Sequence, residues 1–464
     1  MLEESKVRST MTTMWGFRGG ARWAVVLAAL SVLLVASPPT YAQFVSGSDG
    51  SDGAITFSVP SGLSSVTFTF DPRTICSQVG VACTKAPGTG GAVELDDDGD
   101  NVYHFTTVTV GQSVTVRFWA KYMRNPGPVV WLATGNVAFG RYGTLTLNGE
   151  GGDTGGPNLS TRGRSEPGPG GFPGGVAAKP SDAPTPGLGP GGATIPNGSQ
   201  SGCPAGHVVA ITTSRCPGGG SKYGSDSIQP LIGGSGGSGG AAIGQSMGGG
   251  GGAGGGAIRI SSSSTITLPY QGGIYASGGS SYNNGNGGYQ GGAGSGGAIH
   301  LQATTVDGCY EGNLRVDGAR GPGDEYSSSG RIRIDGTYSY GCNHNGVVPL
   351  NGPAVNVPLP PPPASVRVVS FGGQSVPDVP GAAYTAPDVN IDSTAPLTVA
   401  IEAKNIPRGT VVKLIVSSEG SGAGTADQTV DTTPLAGDSD ALTTATAQVT
   451  LPRGVSRVFV RAVW

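Results

Sequence analysis

The chain carries 85 glycines in 464 residues, and their placement constrains the fold more than any other feature. They crowd between Gly149 and Gly297, around short apolar phrases that recur. Gly255, Gly256, Ala257, Ile258, Arg259, Ile260 returns as Gly296, Gly297, Ala298, Ile299, His300, Leu301, and more loosely as Ser329, Gly330, Arg331, Ile332, Arg333, Ile334. A phrase repeated in this way marks strands that stack on their own copies.

A second phrase reads as a three-residue strand closed by Asn, Ser or Asp and then Gly. Leu145 to Gly149 resembles Ile274 to Gly278, Leu314 to Gly318 and Ile332 to Gly336. Asn, Asp and Gly tolerate the left-handed backbone of a sharp corner. The two phrases together predict an all-β, right-handed parallel β-solenoid (β-helix) over residues 43–348. Its inward column is Ile258, Ile260, Ile299, Leu301, Ile332 and Ile334. Asp317 and Asp335 are read as corner residues.

Upstream, alternating apolar and polar residues predict strands at Ile55 to Val59, Val66 to Phe70, Val108 to Val110, Val114 to Phe118, Val129 to Ala133, Val137 to Phe139 and Leu145 to Leu147. No stretch carries a helical period. The stretch at about 150–256 is dominated by Gly, Pro and Ser, with few apolar points. Glycine has no side chain to bury and loses the most backbone entropy on folding, so this stretch is expected to leave the solenoid as an insert without a core of its own. A polyglycine-II-like bundle is the alternative, and it is set aside because the glycines lack a strict period of three. Pro-rich residues 349–364 form a stiff linker. Beyond it, strands at Val366 to Phe371, Leu397 to Lys404, Val411 to Ser417, Thr446 to Leu451 and Arg457 to Val463 predict an Ig-like or fibronectin-like β-sandwich over 365–464.

Arg18 and Arg22 precede an apolar run from Trp23 to Ala36, and Thr40, Tyr41, Ala42 offers a small-residue cleavage site. Residues 1–42 are therefore read as a signal peptide, and the protein as exported, secreted or held at the bacterial cell surface. After cleavage no second run of spanning length is present, so no transmembrane anchor is expected. The six cysteines form sequence-local pairs in an exported chain, which predicts the disulfides Cys76 with Cys83, Cys203 with Cys216 and Cys309 with Cys342. Formal net charge is −3 with 12% charged residues, so nothing draws this chain to nucleic acid.

Ser48 to Gly53, Asp98 to Thr107, Trp131 to Val137 and Pro230 to Gly237 resemble phrases of exported Gly-rich proteins of environmental bacteria. The resemblance runs from about Phe44 to Asp335. It implies export and a β-solenoid-like fold with an Ig-like C-terminal module, and no established activity.

The residues that bear on chemistry are few. Asp96, Asp98 and Asp100, with Glu94 and Asp97 beside them, form the densest acidic patch. They suit either a structural Ca2+ or a solvated turn opening the next strand, and Thr107 stands where an EF-hand needs Glu. Asp49 and Asp52 would add ligands if the ends meet. Arg259, His300 and Arg333 occupy equivalent outward positions of the repeated phrase and predict a cationic column, either a wetted face or a grip for acidic polysaccharide. Tyr270, Tyr275, Tyr282 and Tyr289 suit stacking on sugar rings. Thr-x-Thr pairs, such as Thr67 with Thr69 and Thr144 with Thr146, are too sporadic to predict a regular ice- or mineral-binding face. No nucleophile elbow, metal-binding His helix or phosphate loop is present. The expectation is a non-enzymatic structural or adhesive protein whose partners are extracellular polysaccharide or cell-surface components. A polysaccharide lyase or glycoside hydrolase on a β-solenoid is the alternative.

Overall fold

The computed structural model describes residues 44–464 apart from 88–92, 97–98, 153–162, 181, 199, 269, 282–287, 309–313, 339–343, 346–349, 353–363, 378–386, 419–427, 455 and 464. The signal segment expected at 1–42 and both members of the pair Cys309 and Cys342 lie outside the described residues. The protein is all-β, and no α-helix occurs among the described residues.

The strands are β1 (Gly53–Phe57), β2 (Val66–Thr69), β3 (Val81–Cys83), β4 (Val102–Val110), β5 (Val114–Arg117), β6 (Val129–Ala133), β7 (Val137–Phe139), β8 (Thr144–Thr146), β9 (Ala257–Thr267), β10 (Gly273–Tyr275), β11 (Ala298–Asp307), β12 (Leu314–Arg315), β13 (Arg331–Tyr338), β14 (His344–Asn345) and β15 (Leu350–Gly352). They divide between two sheets. The nine-stranded sheet runs β15-β13-β11-β9-β6-β4-β1-β3, with β7 beside β4 and β9; the six-stranded sheet runs β14-β12-β10-β8-β5-β2. Pairing is parallel except between β1 and β3.

The repeated phrases set the registers. Ile258, Ile299 and Ile332 pair in one column and Ile260, Leu301 and Ile334 in another. All six are buried in a core shared with Phe68, Val116, Leu145, Ile274 and Leu314 of the facing sheet. Alternation along each strand turns every second residue into this interior, where each buried aliphatic side chain contributes roughly 1.5–3 kcal/mol. An aromatic knot closes the same core: Phe70 stacks on Phe118 at 4.8 Å between ring centres, and Trp131 meets Phe105 edge-on at 5.7 Å.

Two expectations change. Leu145, Ile274 and Leu314 stack together as the second phrase requires. Ile332 to Gly336, grouped with that phrase in the sequence, instead stacks on β11 in the other sheet. Asp335 is therefore not a corner residue but lies within β13. Gly336 beside it has φ +145°, and a Cβ there would lie 2.1 Å from the Ala303 oxygen, so the bend that follows Asp335 requires glycine.

The glycine stretch is not a loose excursion. Gly234, Gly237 and Gly240 donate backbone hydrogen bonds to Gly255, Gly252 and Gly249, which donate in turn to Ser295, Gly292 and Tyr289. Gly248, Gly251 and Gly254 donate to Ala178, Gly175 and Phe172, and these three donate to Gly240, Gly237 and Gly234. Partners repeat every third residue, the period of a three-residue turn. Extended chains thus pack side by side, each hydrogen-bonded to several neighbours at once, and residues 233–241 and 248–256 are buried. The polyglycine-II-like alternative is the arrangement found. It needs no strict glycine period, because small residues also fit. The Ser235 and Ser238 hydroxyls accept from the Gly191 and Cys203 amides at 3.0 and 2.7 Å. The bundle is assembled from the connections β8 to β9, β10 to β11 and β12 to β13.

The strand β15 falls in the stretch expected to be linker and extends the nine-stranded sheet to Gly352. The C-terminal strands are β16 (Ser365–Phe371), β17 (Gln374–Ser375), β18 (Leu397–Lys404), β19 (Val411–Ser418), β20 (Gln428–Pro434), β21 (Ala436–Ser439), β22 (Leu442–Val449) and β23 (Ser456–Ala462). They form two antiparallel sheets, β17-β16-β18-β22-β21 and β20-β19-β23. Val399, Ile401, Val412, Leu414, Ala445 and Ala447 fill one core between them.

Candidate functional site

The outward column comes together as its spacing predicts: His300 pairs with Arg259 on one side and with Arg333 on the other. It is not a wetted face. Arg259 is 4% exposed and His300 3%, and both line a cleft of about 2860 Å³ whose lining also includes Leu231, Phe371 and Asp388. Two residues further along, a second column of Ser261, Gln302 and Asp335 lies in register beside the first.

The two columns form one hydrogen-bonded network. Asp335 is fully buried and its Oδ2 is 2.8 Å from His300 Nε2. Arg333 Nε donates to both Asp335 oxygens at 3.0 and 2.8 Å, and Gln302 Nε2 reaches Oδ2 at 3.4 Å. Gln302 Oε1 accepts from Ser261 Oγ at 3.1 Å, and Ser261 Oγ accepts from Arg259 Nε at 3.0 Å.

Charge follows from this geometry. Burial alone would raise the Asp335 carboxyl, but hydrogen bonds from His300 and Arg333 and their charges hold it below the ordinary carboxylate value. His300 is lowered, chiefly by burial and further by the Arg259 and Arg333 charges, against the pull of Asp335. Burial brings Arg259 down to about 10, with Asp335 opposing. At neutral pH Asp335 is ionised and His300 neutral. The ionised carboxylate can only accept, so Nε2 carries the imidazole proton and Nδ1 is left as the acceptor. A neutral imidazole oriented by a carboxylate is the arrangement of a general base.

Sequence alone reads Asp335 as a corner residue and not as part of a site. The signal was present: if Arg331 to Ile334 is the third copy of the Ala-Ile-x-Ile phrase, Asp335 falls opposite Gln302 on the strand that carries His300.

The acidic patch behaves as a turn where it is described. Asp96, at φ +55°, accepts the Asp100 and Asn101 amides at 2.9 and 3.1 Å, and Asp100 accepts that of Val102 at 2.7 Å. Asp98 lies outside the described residues. Among the described residues no three His, Cys, Asp or Glu side chains gather to hold a metal ion. Asp52 is tied to Lys85 Nζ at 2.9 Å and to the His104 amide at 2.8 Å. The Cys76–Cys83 and Cys203–Cys216 disulfides are formed; the first joins the edge strand β3 to the turn preceding it. Tyr270 is exposed, with Arg141 over its ring at 5.7 Å, and Tyr275 lies under Arg315 at 5.8 Å. Tyr282 lies outside the described residues.

Compared with known proteins, the chain matches no family model, no curated protein and no solved structure.

Proposed function

We propose that this is an exported, non-enzymatic structural or adhesive protein of the cell surface or extracellular space, built as a right-handed parallel β-solenoid with an Ig-like β-sandwich at its C-terminus. The observation that carries the reading is the glycine bundle joined to the stacked strands. Its chains are held by backbone hydrogen bonds on several sides, an arrangement that supplies a stiff body and few side chains for chemistry. The alternation of strands between two sheets in matching registers supports the solenoid. The apolar N-terminal run, the disulfides and the resemblance to exported Gly-rich proteins support export. Among the described residues no helix is long and apolar enough to cross a membrane.

One observation favours a second reading, a polysaccharide lyase or glycoside hydrolase: the His300–Asp335 pair with Arg259 and His300 on the cleft wall. Incubation of the purified protein with neutral and uronic-acid glycans separates the two. The structural reading expects no unsaturated or reducing-end product; product that vanishes in His300→Ala establishes the enzyme. Export is tested by expression from the native start, where mature protein beginning at Gln43 is expected outside the cytoplasm.

A further inference from the structure

The outer surface of the six-stranded sheet carries a pattern that the buried column does not. Thr67, Thr115 and Thr144 pair in one column, and Thr69, Arg117, Thr146, Tyr275 and Arg315 in the next. The Thr-x-Thr pairs are thus not scattered but stacked, with Arg117 interrupting them. Their neighbours Phe68, Val116, Leu145, Ile274 and Leu314 point into the core, so these side chains point away from it. Thr67, Arg117 and Arg315 are exposed, Thr69, Thr115, Thr144 and Tyr275 are half-buried, and Thr146 is buried.

Aromatic rings lie beside the cations. Trp119 continues β5 in extended conformation, with Arg117 over its ring at 5.3 Å and Lys121 at 5.7 Å; Arg315 lies over Tyr275 at 5.8 Å. The carboxylate nearest in register is Asp317, raised by burial against the charge of Arg315. Arg117 and Arg315 stand three strands apart in this column, which places their backbones about 14 Å from each other at the usual strand spacing. The result is a strip with a guanidinium towards each end, the Thr144 hydroxyl and the Tyr275 ring between them, and Trp119 beside Arg117.

We infer that this strip binds an acidic polysaccharide, a polymer of uronic acid. Guanidinium groups pair with carboxylates in fork geometry, aromatic faces with a polar rim suit the apolar faces of sugar rings, and threonine hydroxyls both donate and accept towards sugar hydroxyls. The inference rests on the exported, adhesive reading, since such polymers lie outside the cytoplasm.

The test is affinity electrophoresis of the full-length protein in gels containing polygalacturonate or neutral dextran. Expected is retardation by polygalacturonate alone, weakening as salt rises. Arg117→Glu with Arg315→Glu should reduce affinity at least tenfold, Trp119→Ala severalfold, and Lys413→Glu on the β-sandwich not at all. If the charge-reversed protein fails to fold, Arg117→Gln with Arg315→Gln carries the comparison. Equal retardation by dextran, no retardation, or wild-type binding by the double variant overturns the inference. Culture fractions from the same expression separate the two readings: protein found outside the cytoplasm yet not retarded defeats the strip and leaves export standing, whereas protein confined to the cytoplasm defeats export.

Discussion

His300 Nε2 and Asp335 Oδ2 meet at 2.8 Å across adjacent parallel strands, although His300 pairs in register with Arg333 and Asp335 with Gln302. The contact is diagonal. It leaves the Asp335 carboxylate shared between a buried imidazole and the half-buried guanidinium of its own strand, so the imidazole contact is the one shielded from solvent.

Removing that carboxylate leaves Arg333, Arg259 and a lowered imidazole without their shared counter-charge. Asp335→Ala is expected to destabilise the N-terminal sheets by about 3–5 kcal/mol, and Asp335→Asn by less, because an acceptor is kept. Urea denaturation followed by tryptophan fluorescence reads this, since Trp131 is fully buried in the core of those sheets. Equal stability of Asp335→Ala and wild type would show that the network is only incidental to folding.

Acid should weaken the fold before the carboxylates titrate. His207 is 1% exposed, stacks on Tyr223 at 4.4 Å, and its Nδ1 lies 2.6 Å from the Gly296 carbonyl. Burial brings its value down from 6.5 to about 4. Between those values the unfolded chain binds a proton that the folded chain refuses, so stability is full above about pH 6.5 and falls by about 3 kcal/mol as pH drops to about 4. His300 is lowered in the same direction and adds to the loss. Asp335, held low, contributes stability that is lost only further down, as pH falls below 3.8. Urea midpoints between pH 7 and 4.5 should fall for wild type and fall less steeply for His207→Gln. Matching slopes in the two proteins would refute the assignment.

In the glycine bundle, space rather than backbone conformation decides. A Cβ on Gly252 would lie 1.9 Å from the Gly279 oxygen, whereas one on Gly151 meets nothing closer than 3.4 Å. Gly252→Ala is expected to cost about 1–3 kcal/mol or more through forced displacement of a neighbouring chain, and Gly151→Ala little. Thermal unfolding of both variants checks the contrast; comparable melting would mean that the bundle is looser than its hydrogen bonds imply.

Local pattern determined the strands and their stacking. Alternation marked the strands of both regions, repetition brought Ile258, Ile299 and Ile332 into one column and Arg259, His300 and Arg333 into the next, and cysteine spacing named the two pairs that are formed. Those features are short-range or self-similar, so they can be read along the chain. What the tertiary structure decided are contacts between unlike segments. The glycine tracts lack the side chains that announce packing, and their order rests on backbone hydrogen bonds to chains from about ten to about eighty residues away. The ambiguous phrase at Ile332 went to the sheet where its neighbours had already stacked. The polar column became buried because residues remote in sequence line the cleft beside it, and only that burial turned a row of exposed cations into a neutral histidine held by a hidden carboxylate.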